Sequence, residues 1–204
     1  MSGKPAGRAY AERFAALAAS GVDVHGEASF CAALVPPGAS VLDAGCGTGR
    51  VAIRLAELGF RCVGVDSDAS MLEQARDAAP EMTWVLADLA ALDGVEGVNG
   101  PYDVIVAAGN VIPLLAAGTE PAVLRGLAAC LAPGGRLVAG FGLDAAHLPL
   151  PAAPFGLEQY DAWCTAAGLE LDSRYATWDR LAYEGGGYAV SVHRFPTLDL
   201  RVRR

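Results

Sequence analysis

The sequence has 204 residues, of which 53% are hydrophobic and 19% are charged, and its formal net charge at pH 7 is -8. This composition excludes an intrinsically disordered chain and suffices for the core of one domain of ordinary size. A domain this acidic repels phosphate backbones, and we therefore expect no nucleic-acid partner.

The N-terminal region is predicted to form two helices, at 5–20 and 27–35, and it ends at the break Pro36-Pro37-Gly38. We expect residues 1–38 to form a helical cap on a single globular unit at 39–204. From residue 40 onward, predicted strands alternate with predicted helices. The strands are predicted at 40–44, 61–65, 83–87, 102–107, 136–141, 169–177 and 188–195. The helices are predicted at 50–58, 68–78, 119–131 and 157–167.

The order of these elements predicts the fold class. Strands that alternate with helices form a parallel sheet with helices on both faces. The last two strands are separated only by the loop 179–187, so we expect them to pair in antiparallel orientation. The sequence thus predicts an α/β fold: an open, doubly wound, mostly parallel seven-stranded sheet with an antiparallel last strand.

The location of the protein is predicted from what the sequence lacks. The cysteines are odd in number, widely spaced and without a C-x-x-C pair, which predicts reduced thiols and neither disulfides nor a zinc site. They are Cys31, Cys46, Cys62, Cys130 and Cys164. Glu12 and Arg13 interrupt the only candidate for a signal peptide. No apolar run approaches the roughly 20 residues that cross a bilayer, so we expect a cytoplasmic protein without membrane contact.

A glycine-rich turn follows the first predicted strand, in the sequence V-L-D-A-G-C-G-T-G-R at 41–50. Glycines allow a sharp turn and a close approach of the backbone to a ligand, and the helix behind the turn presents free N–H groups to that ligand. Asp66 ends the next strand, where dinucleotide-binding sheets hold ribose hydroxyls. These features predict a nucleoside-containing cofactor at the carboxyl ends of the strands.

Two cofactors compete for this turn. The nicotinamide fingerprint G-x-G-x-x-G requires a third glycine where this chain has Arg50. Asp43, two positions before the first glycine, would repel a pyrophosphate but suits a ligand that carries an ammonium group. S-adenosylmethionine has an amino acid end, a sulfonium and no phosphate, and we expect it in place of NAD.

Five separate motifs resemble those of the class I S-adenosylmethionine-dependent methyltransferases. They are D-A-G-C-G-T-G at 43–49, V-D-S-D-A-S-M-L-E-Q-A-R at 65–76, A-D-L at 87–89, Y-D-V-I-V-A-A-G-N at 102–110 and L-A-P-G-G-R-L at 131–137. The resemblance implies the Rossmann-like fold of that family. It also implies methyl transfer from S-adenosylmethionine, with S-adenosylhomocysteine as the product.

The resemblance implies roles for particular residues. It places Asp66 on the ribose, Met71 near the adenine, Asp88 on the adenine amino group and the N–H of Leu89 near the ring. Tyr10 and, less directly, Arg13 on the first helix are candidates for the cofactor carboxylate. The expected cofactor contacts are Tyr10, Asp43, Gly45, Cys46, Gly47, Gly49, Asp66, Ser67, Met71, Asp88, Leu89 and Asn110.

The fourth motif excludes some acceptor classes. The chain continues as Asn110-Val111-Ile112-Pro113, which has no aromatic side chain to stack a flipped nucleic-acid base. The chain also contains no Pro-Cys dipeptide of the kind that cytosine C5 enzymes use. Metal-dependent catechol enzymes need an acidic residue where this chain has Asn110, so we expect no metal ion.

The function that these observations favour is methyl transfer to a small molecule at oxygen, nitrogen or carbon, by a monomer or homodimer. A protein or RNA methyltransferase remains an alternative, as does a non-catalytic module that binds the cofactor. A general base is needed only if the acceptor starts protonated. His25 and His147 are the candidate catalytic residues, whereas His193 is expected to pack in or on the sheet. The aromatic side chains Trp178, Tyr183 and Tyr188 near the last hairpin are candidates for substrate contact.

Overall fold

A computed structural model describes residues 6–197 of the chain. Its α-helices are α1 (Ala6–Ala19), α2 (Gly26–Ala32), α3 (Arg50–Glu57), α4 (Ala69–Ala78), α5 (Glu120–Ala129) and α6 (Leu157–Ala166). Its strands are β1 (Ser40–Ala44), β2 (Arg61–Asp66), β3 (Thr83–Leu86), β4 (Tyr102–Ala107), β5 (Leu131–Gly142), β6 (Glu170–Tyr175) and β7 (Tyr188–Arg194). Short 3-10 turns at Leu89–Ala91 and Ile112–Leu114 come after β3 and β4.

The strands of these residues form a seven-stranded sheet in the order β3-β2-β1-β4-β5-β7-β6. β1 pairs in parallel with β2 and β4, β2 with β3, and β4 with β5. β7 runs antiparallel to both β5 and β6. The predicted α/β fold with an antiparallel last strand is confirmed. The strand order reverses between β1 and β4, which is where open sheets of this kind bind their ligands.

The boundary between α5 and β5 differs from the prediction. The sequence pattern predicts a helix up to residue 131 and a strand from residue 136, but α5 ends at Ala129 and β5 begins at Leu131. The reason is pairing across the sheet. The N–H of Tyr102 donates to the carbonyl of Cys130 at 2.8 Å, and Leu131 pairs with Tyr102. This long-range pairing overrides the local helical pattern.

The hydrophobic core lies on both faces of the sheet. Val41 and Leu42, which are neighbours in β1, are both buried but belong to two different clusters. One cluster joins the sheet to α5 and α6, and the other joins it to α2 and α3. α1 lies outside both clusters and packs against α4, where the N–H of Gly7 donates to Ser70 Oγ at 3.2 Å.

His193 is buried in the sheet, which is one of the two placements expected for it. Its side chain is 1% exposed and packs edge-on against the ring of Tyr160, with 5.3 Å between the ring centroids. Its Nε2 lies 3.2 Å from Asp161 Oδ1. Burial lowers the pKa of His193 against the opposing attraction of that carboxylate, so the ring is neutral at pH 7 and its role is packing.

All five cysteines are free thiols, and Cys31, Cys46 and Cys164 are buried. Among residues 6–197, every helix is too short or too polar to cross a membrane.

Candidate cofactor site

A cavity of about 490 Å³ lies at the carboxyl ends of β1, β2 and β4. It includes ten of the expected cofactor contacts: Tyr10, Asp43, Gly45, Cys46, Gly47, Asp66, Ser67, Met71, Asp88 and Leu89. The other lining residues are Arg50, Val51, Asp68, Ala108, Gly109, Val111, Leu114, Leu115 and Ala116. The parallel strands bring these residues together because their carboxyl ends meet at one edge of the sheet.

The glycine-rich turn forms one wall of this cavity. The N–H groups of Gly45 and Cys46 both donate to the carbonyl of Val65, at 2.8 and 2.9 Å, which ties the turn to β2. Gly47 has a φ of +55°, a backbone conformation that favours glycine. A Cβ at Gly47 would meet nothing closer than Met71 Sδ at 4.0 Å. Because Gly47 has no side chain, the space beside Met71 stays open, and a ligand can approach the backbone closely.

Asp43 is buried at the end of β1 and is only 2% exposed. Its Oδ2 accepts a hydrogen bond of 3.1 Å from the N–H of Ala52, in the first turn of α3. The residue that precedes α3 is Gly49, which has no side chain to cap the helix, and Asp43 performs that role from the strand. Burial raises the pKa of Asp43 from 3.8 to about 7. The carboxyl group is therefore partly protonated at neutral pH until a positive charge binds beside it.

The raised pKa of Asp43 gives the first prediction. A bound ammonium group favours the ionised carboxylate, so cofactor binding should release a proton and affinity should rise with pH until about 7. Below that pH the affinity should change by up to about tenfold per pH unit. Without cofactor, the same shift makes the free energy of unfolding decrease as pH rises from 3.8 to about 7. Calorimetry of S-adenosylhomocysteine binding across this range, in two buffers of different ionisation enthalpy, measures the proton release and the change in affinity.

Asp43→Asn is the matched control for this prediction because it keeps the side-chain shape and removes the titration. Its cofactor affinity should be weaker than that of the wild type at pH 8 and should show no proton release linked to residue 43. An unchanged pH dependence in Asp43→Asn would assign the titration to another group.

Asp66 and Asp88 are both oriented by backbone N–H groups. Asp66 Oδ2 accepts from Gly47 at 2.7 Å and its Oδ1 accepts from Asp68 at 2.8 Å. Asp88 Oδ1 accepts from Ala90 at 2.9 Å. A carboxylate oxygen has two lone pairs, so each group keeps acceptor capacity after these bonds. Both side chains line the cavity and can accept hydrogen bonds from hydroxyl or amino groups of a ligand.

Two expected cofactor contacts lie outside the lining of the cavity. Gly49 packs against the ring of Trp84 so closely that a Cβ would overlap it. The side chain of Asn110 bridges the end of β5 and the loop after it instead: its Oδ1 accepts from the N–H of Gly142 at 2.7 Å, and its Nδ2 donates to the carbonyl of His147 at 3.0 Å. Both residues shape the walls around the cavity and are not part of its surface.

Arg50 is the functional residue that sequence reasoning missed. Its guanidinium donates to both carboxylate oxygens of Glu27, at 2.6 and 2.8 Å, and also to the carbonyl of Val24. The same group lies 4.5 Å above the ring centroid of Phe14 in α1. One side chain at the start of α3 therefore holds α1, α2 and the segment between them. The sequence did signal this position, because arginine replaces the third glycine of the nucleotide fingerprint. It did not reveal the role of Arg50, because the residues that Arg50 contacts lie more than twenty positions earlier.

The Arg50–Glu27 pair gives the second prediction. α1 contributes Tyr10 to the cavity, and apart from Gly7 its described side chains are exposed or half-buried. Glu27→Gln should therefore loosen α1, weaken S-adenosylhomocysteine binding by about tenfold, or about 1.4 kcal/mol, and speed tryptic cleavage after Arg13. The control is Glu57→Gln, which breaks the exposed Arg54–Glu57 pair and should change neither quantity. Equal behaviour of the two variants would contradict this role for the half-buried Arg50–Glu27 pair.

Neither candidate catalytic histidine lines the cofactor cavity. His25 lies in a shallow groove between α1 and α4, and its N–H donates to Asp23 Oδ1 at 2.8 Å. His147 lines a separate cavity of about 520 Å³, and its Nδ1 lies 2.7 Å from Asp144 Oδ1. Of the two side chains, only that of His147 is on a cavity next to the carboxyl ends of β5 and β6.

The described residues contain no group of three or more His, Cys, Asp or Glu side chains close enough to hold a metal ion. One apolar part of the cofactor cavity comes from Val111, Leu114 and Leu115, which lie in or beside the 3-10 turn after β4. Sequence reasoning also missed this part of the cavity, although an apolar run after a strand end was its signal. These side chains offer apolar contacts to a ligand ring.

Comparison with known proteins identifies the family. A family model described as a methyltransferase domain matches residues 41–135. The crystal structure of a TehB-like SAM-dependent methyltransferase from Corynebacterium glutamicum is 33% identical, with a TM-score of 0.81 over 92% of this chain and 96% of that one. The chain belongs to the S-adenosylmethionine-dependent methyltransferases.

Curated relatives match shorter stretches. Trans-aconitate 2-methyltransferase from Azoarcus sp. is 49% identical over 55 residues, which are 26% of this chain and 22% of the relative. Ribosomal protein L11 methyltransferase from Xylella fastidiosa is 39% identical over 101 residues, which are 49% of this chain and 31% of the relative. The chain thus spans less than a third of the length of these two relatives, whose names specify different acceptors.

Proposed function

We propose that this chain transfers the methyl group of S-adenosylmethionine to a small-molecule acceptor, at oxygen, nitrogen or carbon. The observation that carries the proposal is a pair of cavities at one edge of the sheet. The first is lined by Asp43, Asp66 and Asp88. The second, of about 520 Å³, has a volume within the range of small-molecule sites.

The residues of the first cavity fit the proposed cofactor part by part. Asp66 would accept hydrogen bonds from the ribose hydroxyls, and Asp88 and Leu89 would contact the adenine. Asp43 and the turn at Gly47 would hold the methionine end, where the buried carboxyl group matches a positive charge. When bound, the cofactor supplies a methyl group on a sulfonium, whose leaving group is neutral. The protein therefore contributes position and desolvation more than acid catalysis.

Small molecules are favoured over macromolecules by charge and by shape. The net charge of -8 opposes RNA binding, and the second cavity is a concave site bounded by strand ends. The proposal needs no metal ion and no nucleic acid, and it holds for a cytoplasmic monomer or homodimer. If the chain instead methylated a protein, the transferred methyl group would be found on a macromolecule and not on a small molecule.

The general base is the third prediction. If the acceptor starts protonated, a base must take its proton, and an imidazole titrates in the required range. His147 is better placed than His25 because it lines the second cavity. His147→Ala should lower kcat by at least about 100-fold with unchanged cofactor affinity. His25→Ala serves as the control, and a full rate in both variants would leave a mechanism by position alone.

The acceptor class is tested by incubating the protein with methyl-labelled S-adenosylmethionine and a cell extract. After ultrafiltration, the proposal predicts that label accumulates in the small-molecule filtrate. The control is Gly47→Val, which should give no label in either fraction. Label confined to the retained protein or RNA would establish the alternative, and cofactor binding without any transfer would indicate a binding module.

A further inference from the structure

The second cavity lies over the carboxyl ends of β5 and β6 and the amino end of β7. Its functional side chains are those of Asp23, Glu27, His147, Trp178, Asp179 and Tyr188. The two cavities share one edge of the sheet, and the half-buried Arg50–Glu27 pair lies between them, since Arg50 lines the first and Glu27 the second. This arrangement places the second cavity beside the cofactor site.

Gly140 sets how close the two cavities come. Ala107 pairs with Ala139, so Ala108, which lines the cofactor cavity, is next to Gly140 on the adjacent strand. A Cβ at Gly140 would lie 2.8 Å from the hydroxyl oxygen of Tyr188 and would overlap the ring of Trp178. The Tyr188 hydroxyl therefore lies against β5, the strand next to β4, and the residues that follow β4 line the cofactor cavity.

The charges around the second cavity are mostly negative. Among the described residues, it is lined by the carboxylates of Asp23, Glu27 and Asp179 and by no lysine or arginine. Arg50 neutralises Glu27, whereas Arg180 lies over the ring of Phe30 and donates to its carbonyl. Within residues 6–197, Asp23 and Asp179 have no ion-pair partner. The cavity therefore favours a positively charged ligand.

Two aromatic side chains complete the lining. Trp178 Nε1 donates to the Tyr188 hydroxyl oxygen at 3.1 Å, which fixes the two rings relative to each other. Burial raises the pKa of Tyr188 to about 12, so the phenol keeps its proton at pH 7 and adds no negative charge. Aromatic rings attract ammonium groups through the negative potential of their faces. Carboxylates and aromatic rings thus act in the same direction, on independent physical grounds.

We propose that the second cavity is the acceptor site and that it selects a cationic amine of metabolite size. This inference rests on the proposed function and narrows its acceptor class. Asp23 and Asp179 attract the ammonium form, and Trp178 and Tyr188 hold it beside the cofactor cavity. An anionic acceptor of the same size is repelled by the same carboxylates.

The chemistry requires one proton to leave before the methyl group moves. The bound ammonium gives a proton to Nε2 of His147, the nitrogen that remains when Nδ1 is hydrogen bonded to Asp144. The nitrogen lone pair then forms a C–N bond to the methyl carbon as the C–S bond breaks, and the electrons of that bond stay on sulfur. The products are a methylated ammonium and a neutral thioether, and His147 returns its proton to water.

The experiment separates the acceptors by charge. A metabolite extract is divided at pH 7 into the fractions retained by a cation exchanger, retained by an anion exchanger, and retained by neither. Each fraction is incubated with the protein and methyl-labelled S-adenosylmethionine. We expect the label in the cation-exchanger fraction. Label found mainly in either of the other fractions would overturn the inference while leaving the proposed function intact, whereas no label in any fraction would count against the proposed function itself.

Variants test the site with the cation-exchanger fraction as the probe. The double variant Asp23→Asn with Asp179→Asn should raise the amount of this fraction needed for half-maximal rate by at least about tenfold, with unchanged affinity for S-adenosylhomocysteine. The control is Asp172→Asn, which removes a carboxylate from β6 that lies outside the cavity. Indistinguishable half-maximal amounts in the double variant, the control and the wild type would overturn the assignment of the cavity.

Discussion

Gly47→Val is expected to weaken S-adenosylhomocysteine binding by at least about 100-fold while the protein stays folded. The φ of +55° costs a β-branched side chain about 1–2 kcal/mol, which a stable domain tolerates. The new side chain places its Cβ in open space, 4.0 Å from Met71 Sδ. It would therefore occupy part of the cofactor cavity and exclude the methionine end.

Gly59→Val is the matched control for this variant. Gly59 also has a positive φ, of +90°, and open space around its Cβ, but it lies at the end of α3 outside the cavity. Both variants should show similar losses of thermal stability, and only Gly47→Val should lose binding by calorimetry. Normal binding by Gly47→Val would mean that the ligand does not approach this turn.

Asp66→Ala is expected to weaken cofactor binding by about 1.5–3 kcal/mol, or roughly 10- to 150-fold, because hydrogen bonds to a charged acceptor are lost. Asp66 also orients the N–H groups of Gly47 and Asp68, so the variant loses both a ligand contact and the position of the turn. Asp66→Asn keeps one acceptor oxygen and should fall between Ala and the wild type.

Asp103→Ala controls for the structural part of this effect. Asp103 Oδ2 also holds backbone, accepting from the N–H and the hydroxyl of Ser40 at 2.8 and 2.9 Å, but it lies at the opposite end of the sheet from the cavity. Both alanine variants should lower the melting temperature. Equal cofactor affinity in Asp66→Ala and the wild type would show that Asp66 does not contact the ribose.

The parts of this protein that sequence predicts well are those set by local pattern. Ser40 to Ala44 is a short apolar run ended by a glycine turn, and it is a strand with those bounds. Asp66 and Asp88 lie at strand ends, and the parallel order of the sheet brings both to one cavity without further information. Motif and topology together therefore locate the candidate cofactor site.

What sequence misses depends on contacts between distant residues. No local sequence pattern shows that Arg50 binds Glu27. Nor does one show that the amide of Asn110 forms hydrogen bonds with both Gly142 and His147. Gly49 is glycine because Trp84 lies against it, although its motif position suggests ligand contact. In each case a glycine or polar residue inside a binding motif supports the walls of the site. Only the packed structure distinguishes this supporting role from direct contact with the ligand.

The most direct test of the account is calorimetry with S-adenosylmethionine, S-adenosylhomocysteine and NAD under identical conditions. A cavity that holds an ammonium group beside Asp43 and ribose hydroxyls on Asp66 should bind the first two ligands with one site per chain. The same Asp43, and Arg50 in place of a third glycine, should leave NAD without measurable binding. Binding of NAD without binding of either sulfur ligand would contradict the assignment of this cavity.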